Sequence, residues 1–223
     1  MHNDEKQIDS LEIISTLFPD SVTGIILPID DYLSQLTPAE YKIIDSACDK
    51  RKLEFSTGRW CAKQALAIEG INNLSILSGK NREPIWPTGI VGSISHCKDE
   101  CGAVIAKSNN IGAIGFDVEN IKELKNDIAK IVCTKIETKW LAEQNKYPYN
   151  VMLLLIFSLK ESVYKCIFQH QQLAIEFKDC SIIPSFDLGS ANIKFHQENI
   201  HLNISLNFKI SSDHIYSSAI CFS

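Results

Sequence analysis

Between residues 90 and 119 apolar and small or polar side chains alternate in three bursts, at 90–96, 101–107 and 113–119. Polar turns at Lys98-Asp99-Glu100 and Ser108-Asn109-Asn110 separate them. Period-two alternation punctuated this way predicts three consecutive strands. Upstream, residues 24–30 read as a short strand, and Pro38 to Glu69 as helix, stopped by Gly70 and the Asn72-Asn73 pair. Leu74 to Leu77 reads as a further short strand, and Pro84 to Gly89 as a Pro/Trp-rich loop. Residues 122–168 return to helical periodicity, interrupted at Tyr147-Pro148-Tyr149, and the tail alternates again at 173–178, 192–196, 201–209 and 214–222. Helices therefore precede sheet twice. Phe55-Ser56 precedes Lys63 by the same interval as Phe157-Ser158 precedes Lys165, a faint echo of an internal repeat. The Ser108–Gly112 turn is the natural boundary, which divides the chain into 1–110 and 111–223.

Composition narrows the class. With 223 residues, 45% hydrophobic and 22% charged, the chain can bury a substantial core and is not disordered. The longest apolar run, Val151 to Phe157, is too short to span a bilayer, so no transmembrane segment is expected. The start, Met-His-Asn-Asp-Glu-Lys, lacks the features of a secretory signal, and a cytoplasmic address is expected. A net charge of -5 argues against a nucleic-acid partner. The eight cysteines form no Cys-x-x-Cys pair and read as reduced, mostly buried residues. His96, Cys97 and Cys101 form the one cluster with zinc-like composition, although adjacent strand residues 96 and 97 would point opposite ways.

Three clusters suggest chemistry. In Ile114-Gly115-Phe116-Asp117-Val118-Glu119, strand alternation puts Asp117 and Glu119 on one face with Ala113 and Gly115, their Cα atoms about 7 Å apart. Ile114, Phe116 and Val118 face the core. Such a face suits magnesium, which takes one or two carboxylates and fills its other positions with water and phosphate oxygens; it would equally suit an acidic strand face turned to water. In the helix Phe157 to Lys165, Glu161 and Lys165 stand four apart, opposite an apolar stripe of Leu159, Val163 and Cys166 or Ile167. They read either as a surface ion pair or as a metal ligand or base beside a phosphate-facing cation. The third cluster, Trp86 to His96, alternates Ser93 and Ser95 with Ile94 and His96. Arg59 and Lys63, four apart on the earlier helix, would ordinarily be a solvated face.

These segments occur together in an order that resembles the 4′-phosphopantetheinyl transferase superfamily, in particular the branch that primes enterobactin-type and other nonribosomal-peptide carrier proteins. The matching stretches are Arg51 to Leu66 with Gly58-Arg59 and Lys63, Arg82 to Pro87, Gly92 to Cys97, Gly115 to Glu119 and Phe157 to Lys165. Lys63 stands where that branch often has Arg, and Phe116 where the family often has Ile.

The resemblance implies an α+β fold of two similar halves related by a pseudo-twofold axis, with the active site in the cleft between them. It implies a magnesium-dependent enzyme that moves the phosphopantetheine arm of coenzyme A to a serine of an apo carrier protein (peptidyl, aryl or acyl) and releases adenosine 3′,5′-bisphosphate. Asp117, Glu119 and Glu161 would hold magnesium. Glu161 and Lys165 would be catalytic, and Lys63, Arg59, Arg82, Ser95 and His96 would meet coenzyme A. Siderophore synthesis is one pathway such an enzyme serves. Two fused halves suggest a monomer. A metal-dependent phosphohydrolase could use the same carboxylates, and a non-catalytic coenzyme A-binding module would keep Ser95 and His96 without needing Glu161.

Overall fold

The computed structural model describes residues 2–123, 128–197, 200 and 202–223. The chain opens with α1 (His2–Leu17), β1 (Val22–Pro28), α2 (Pro38–Ile44) and α3 (Asp49–Ile68). Strands β2 (Ile90–His96), β3 (Glu100–Lys107) and β4 (Ile111–Asn120) follow. Then come α4 (Ala129–Val132), α5 (Lys135–Glu143), α6 (Tyr149–Gln171), β5 (Cys180–Ser185), β6 (Ser190–Phe195), β7 (Ile204–Ile210) and β8 (His214–Phe222). Two antiparallel sheets result: β1-β3-β2, and β4-β8-β7-β6-β5. The fold is α+β.

Each sheet carries a long helix. Helix α3 packs Cys61, Ala62, Ala65 and Leu66 against Ala103 and Ile105, while α6 packs Leu155, Leu159, Val163 and Cys166 against Ile215 and Ala219. A third core joins the sheets: Val91 and Val104 of one meet Ile114, Phe116, Val118 and Ile220 of the other. Helix α1 supplies Ile13, Ile14 and Leu17 to that shared core. The Leu17 carbonyl accepts hydrogen bonds from Asn207 and Ser218, so α1 is tied directly to the second sheet.

The internal repeat is written in a buried ion pair. Thr37 caps α2, and its partner in the capping box, Glu40, has no exposed surface. Glu40 accepts bonds from Lys63 at 2.6 Å and from the Ile76 backbone N–H at 2.8 Å, and the Thr37 hydroxyl meets Ser75. In the second half Thr134 caps α5, and fully buried Glu137 accepts from Lys160 at 2.8 Å and from the Ile182 N–H at 2.7 Å, with Thr134 on Ser181. In both halves Glu and Lys are 23 residues apart. The register therefore equates Lys63 with Lys160. The Phe-Ser echo, which paired Lys63 with Lys165, is out of register by five residues.

Several predicted elements moved. The helix over 38–69 is two helices with a turn between, and the break before Tyr149 lies where the proline put it. Residues 74–77 form no strand: at Ile76 side chains take the backbone groups, while the Leu77 carbonyl accepts from the Ile85 N–H at 2.9 Å. The Ile76 N–H goes to Glu40 and its carbonyl accepts from Arg59 at 2.7 Å. Residues 173–178 run as coil into a short 3-10 turn, with Leu173 and Ile175 packed on the α6 core. Helix α1 was not foreseen. Within the predicted segments, residues 124–127 and 201 lie outside the described residues.

Breaking a buried pair strands a charge in low dielectric and costs about 3–5 kcal/mol. Lys160→Met and Glu137→Gln should each lose stability on that scale in urea unfolding, and the double variant should regain only the part due to the stranded charge, because the Val132, Phe177 and Cys180 carbonyls still lack their donor. For Glu40, burial alone would raise the carboxyl, but Lys63 and the Ile76 and Thr37 N–H groups hold it below the ordinary glutamate value. Its stabilisation is thus present at neutral pH and lost as pH falls through that lowered value. The stability gap between wild type and Glu40→Gln should close on acidification.

Candidate active site

Strand β4 carries its acidic residues at the junction of both halves. Its neighbour across the junction is β2, whose Ser93 hydroxyl donates to the Phe116 carbonyl and accepts from the Phe116 N–H. On the other flank α6 lies so close that a Cβ on Gly115 would collide with the Ser162 carbonyl. Gly115 therefore opens no space for a ligand. Instead it lets the helix seat against the strand. Serines complete that seam: Ser158 and Ser162 both bond Ser217, each at 2.8 Å. Both faces of β4 are consequently covered, and Asp117 is only 3% exposed. At Asp117, therefore, the acidic face is not turned to water.

The close approach brings α6 side chains to Asp117. Lys165 Nζ lies 2.7 Å from Asp117 Oδ1 and donates also to Ser95 Oγ at 2.9 Å and to the Phe116 carbonyl. Ser95 donates to the same Asp117 oxygen at 2.8 Å. Asp117 Oδ2 is buried and has no hydrogen-bond partner among the described residues. A buried carboxylate oxygen without a donor costs free energy that a cation would offset. One turn earlier, burial pushes the Glu161 carboxyl above its ordinary pKa; Lys165 opposes the shift and the nearby Asp117 charge adds to it. Glu119 follows on β4, half-buried. The donors are hard oxygens, two of them electrostatically coupled carboxylates, and this set fits magnesium.

Two grooves flank the cluster. One, of about 480 Å³, runs between the halves and is lined by Arg82, Trp86, Ser93, Tyr164, Lys165 and Gln169. The other, of about 640 Å³, is lined by Lys130, Ile131, Glu161, Tyr164, Phe177 and Lys178. Tyr164 belongs to both. Arg82 is exposed on a turn with φ of 68°, facing the first groove.

Not every sequence candidate reaches this place. Ser95, Lys165, Asp117 and Glu161 converge. Arg59 does not: it is buried, stacked over Phe55, and bonded to the Ile76 carbonyl and Ser78, and burial lowers it to about 10. Lys63 is likewise engaged with Glu40 and the Gln35 carbonyl. Neither is a solvated face, and both stabilise the first half. His96 ends β2, with Arg51 NH1 3.0 Å from its Nε2. Burial lowers its pKa, the Arg51 and Lys165 charges lower it further, and Glu54 opposes. Arg51 is the cation that sequence reasoning missed. It sits 45 residues from His96, with no local pattern to link them. The His96-Cys97-Cys101 trio is dispersed, for Cys101 points into the α3 interface toward the Glu54 carbonyl.

Comparison with known proteins agrees with the class that this arrangement suggests. Residues 39–106 match the 4′-phosphopantetheinyl transferase N-terminal domain, and residues 113–218 the 4′-phosphopantetheinyl transferase superfamily. The chain is 33% identical over 162 residues to 4′-phosphopantetheinyl transferase Svp of Streptomyces mobaraensis, covering 72% of this chain and 66% of that protein. It is 31% identical to enterobactin synthase component D of Escherichia coli K12, covering 71% and 73% respectively. Among solved structures, holo-[acyl-carrier-protein] synthase of Thermotoga maritima aligns with a TM-score of 0.42 at 14% identity, over 48% of this chain and 61% of that one. The chain belongs to the 4′-phosphopantetheinyl transferase superfamily.

The seat of α6 on Gly115 yields a test away from the polar groups. Gly115→Ala should destabilise by about 1–3 kcal/mol through overpacking. It should also carry Glu161 and Lys165 away from Asp117. Urea unfolding, and loss of the Lys165–Asp117 ion pair in a crystal structure of the variant, check both.

Proposed function

We propose that this protein transfers the 4′-phosphopantetheine group of coenzyme A to the serine of an apo carrier protein, with magnesium held by Asp117, Glu119 and Glu161. The observation that carries the reading is the state of Asp117: one oxygen is fixed by Ser95 and Lys165, and the other is buried without a donor. The relatives' names support the transferase class.

In this reaction the carrier serine oxygen attacks the phosphorus that bears the pantetheine. The bond from that phosphorus to the bridging oxygen breaks, and adenosine 3′,5′-bisphosphate leaves with the electron pair. A magnesium ion bound at the three carboxylates would neutralise charge on the pyrophosphate oxygens. Lys165 adds a fixed cation at the same place, already oriented by Ser95 and the Phe116 carbonyl. Glu161 divides between two roles, holding the metal and taking the serine proton. The groove between the halves receives the nucleotide, with Arg82 and the Trp86 indole N–H, buried and unpartnered among the described residues, as donors. Arg51, paired with Glu54 and His96 at the end of β2, is the cation assigned to its 3′-phosphate, the role expected of Lys63. The pantetheine arm lies in the groove beside Glu161 and Ile131. Residues 1–110 and 111–223 are the two halves, both within one cytoplasmic monomer. Among the described residues no helix is long and apolar enough to cross a membrane.

The decisive assay mixes protein, magnesium, coenzyme A and an apo carrier protein and weighs the carrier. A gain of one phosphopantetheine with serine as acceptor supports transfer. Release of the bisphosphate without modification of the carrier would mark a phosphohydrolase, and binding alone a non-catalytic module. Asp117→Ala should abolish transfer. Glu161→Gln should lose far more in rate than in coenzyme A affinity; equal losses would assign it to binding only.

Charge-assisted hydrogen bonds contribute about 1.5–3 kcal/mol each. Arg51→Ala should therefore reduce the preference for coenzyme A over dephospho-coenzyme A by at least about tenfold. Lys63→Ala should leave that preference in place and lower stability instead. Calorimetric affinities for both nucleotides, with unfolding curves, separate the two.

A further inference from the structure

Far along β4 from the Gly115 seam, two tight hairpins meet, one from each half. The first is the β2–β3 turn, Cys97 to Glu100, closed by the bond from the Cys97 N–H to the Glu100 carbonyl at 2.9 Å. The second is the β7–β8 turn, Ser211 to His214, closed likewise at 2.9 Å. Cys97 Sγ, Asp99 and His214 all lie within 4.8 Å of one another. Cys97 Sγ is 3.4 Å and His214 Nε2 3.0 Å from the same oxygen, Asp99 Oδ1. Asn120 of β4 also donates to that oxygen, at 3.0 Å.

We propose that Cys97, Asp99 and His214 form a second metal site, for zinc or a similar borderline divalent ion, that clasps the two halves of the protein together. Thiolate sulfur, imidazole nitrogen and carboxylate oxygen are the ligand types zinc takes, with a solvent position completing four-coordination. A thiolate does not suit magnesium, so this site and the carboxylate cluster select different ions. A carboxylate stands behind the histidine, beyond direct hydrogen-bond distance. With Nε2 turned to Asp99, Nδ1 faces Glu100 Oε2 at 4.0 Å, and Glu100 is itself fixed by the Tyr216 hydroxyl at 2.6 Å. Cys97 and His214 are largely buried and Asp99 is half exposed, which leaves a path for the ion.

Binding exchanges a proton for the ion. Burial pushes the Cys97 thiol up to about 12, so at neutral pH the S–H must break as the sulfur–metal bond forms. The proton goes to solvent. Burial alone would raise Asp99, but bonds from His214, Asn120 and Cys97 bring it down to about 2, so the carboxylate needs no deprotonation. Since the ligands come from hairpins of opposite halves, the bound ion stabilises their packing whatever the transferase cluster holds.

The test is equilibrium dialysis of the full-length protein against zinc in a large excess of magnesium, followed by cobalt substitution. One zinc per chain is expected, with a thiolate-to-cobalt charge-transfer band and a rise in melting temperature. Cys97→Ala and His214→Gln, each checked for native circular dichroism, should weaken zinc binding by at least about tenfold. Asp117→Ala should retain it. Wild type that holds no zinc, or binds cobalt without a thiolate band, overturns the site irrespective of any variant. Undiminished zinc in Cys97→Ala would place the ion at the carboxylates or at exposed Cys48, and also overturns it.

Discussion

A carboxylate with no exposed surface must find all its hydrogen bonds inside the protein, and Glu40 and Glu137 find theirs in the same way. Each caps a helix start, takes a lysine from the long helix and holds the N–H of a residue on the segment after it. Three elements of each half are thereby fixed by one side chain. The orientation of α6 depends on this, since Lys160 anchors its middle, its three N–H groups shared among four acceptors within 3.1 Å. Glu161, the adjacent residue, inherits its direction from that anchor. A buried ion pair is a poor source of net stability but a strong source of specificity when every donor and acceptor is met. Here it sets the register of helix against sheet.

The sequence made much of this legible where local periodicity is enough. The strands at 90–96, 101–107 and 113–119 read directly, because alternating small and apolar residues between polar turns leave little choice. The helix boundary before Tyr149 followed from proline. Where side chains replace backbone partners, periodicity misled: residues 74–77 alternate like a strand, yet Glu40 and Arg59 satisfy Ile76. The sequence reading took the repeat from the Phe-Ser echo and passed over the stronger signal, two Thr-x-x-Glu capping boxes with a lysine 23 residues beyond each glutamate.

The acidic pair on β4 was legible as a candidate but not in its setting. Alternation on a strand says which residues share a face; it does not say that a helix will cover that face. Gly115 and the serines of α6 settle that by allowing a near approach, and Asp117 becomes interior as a result. The long-range partners were beyond any local pattern. Arg51 with His96, and Lys165 with Ser95, join through topology alone.

Strand order has a consequence for how the chain is made. β8 lies between β4 and β7, so the strand that bears Asp117 pairs with residues synthesised about a hundred positions later. At roughly 5–20 residues per second, β4 waits several seconds as an unpaired edge, the kind of surface that invites association with other chains. During that interval the first half can close its own sheet, β1-β3-β2, and its own buried pair, while the carboxylate cluster has no complete wall. Folding of the metal-binding strand is therefore a late, non-local event in a protein whose first half can be in place well before it.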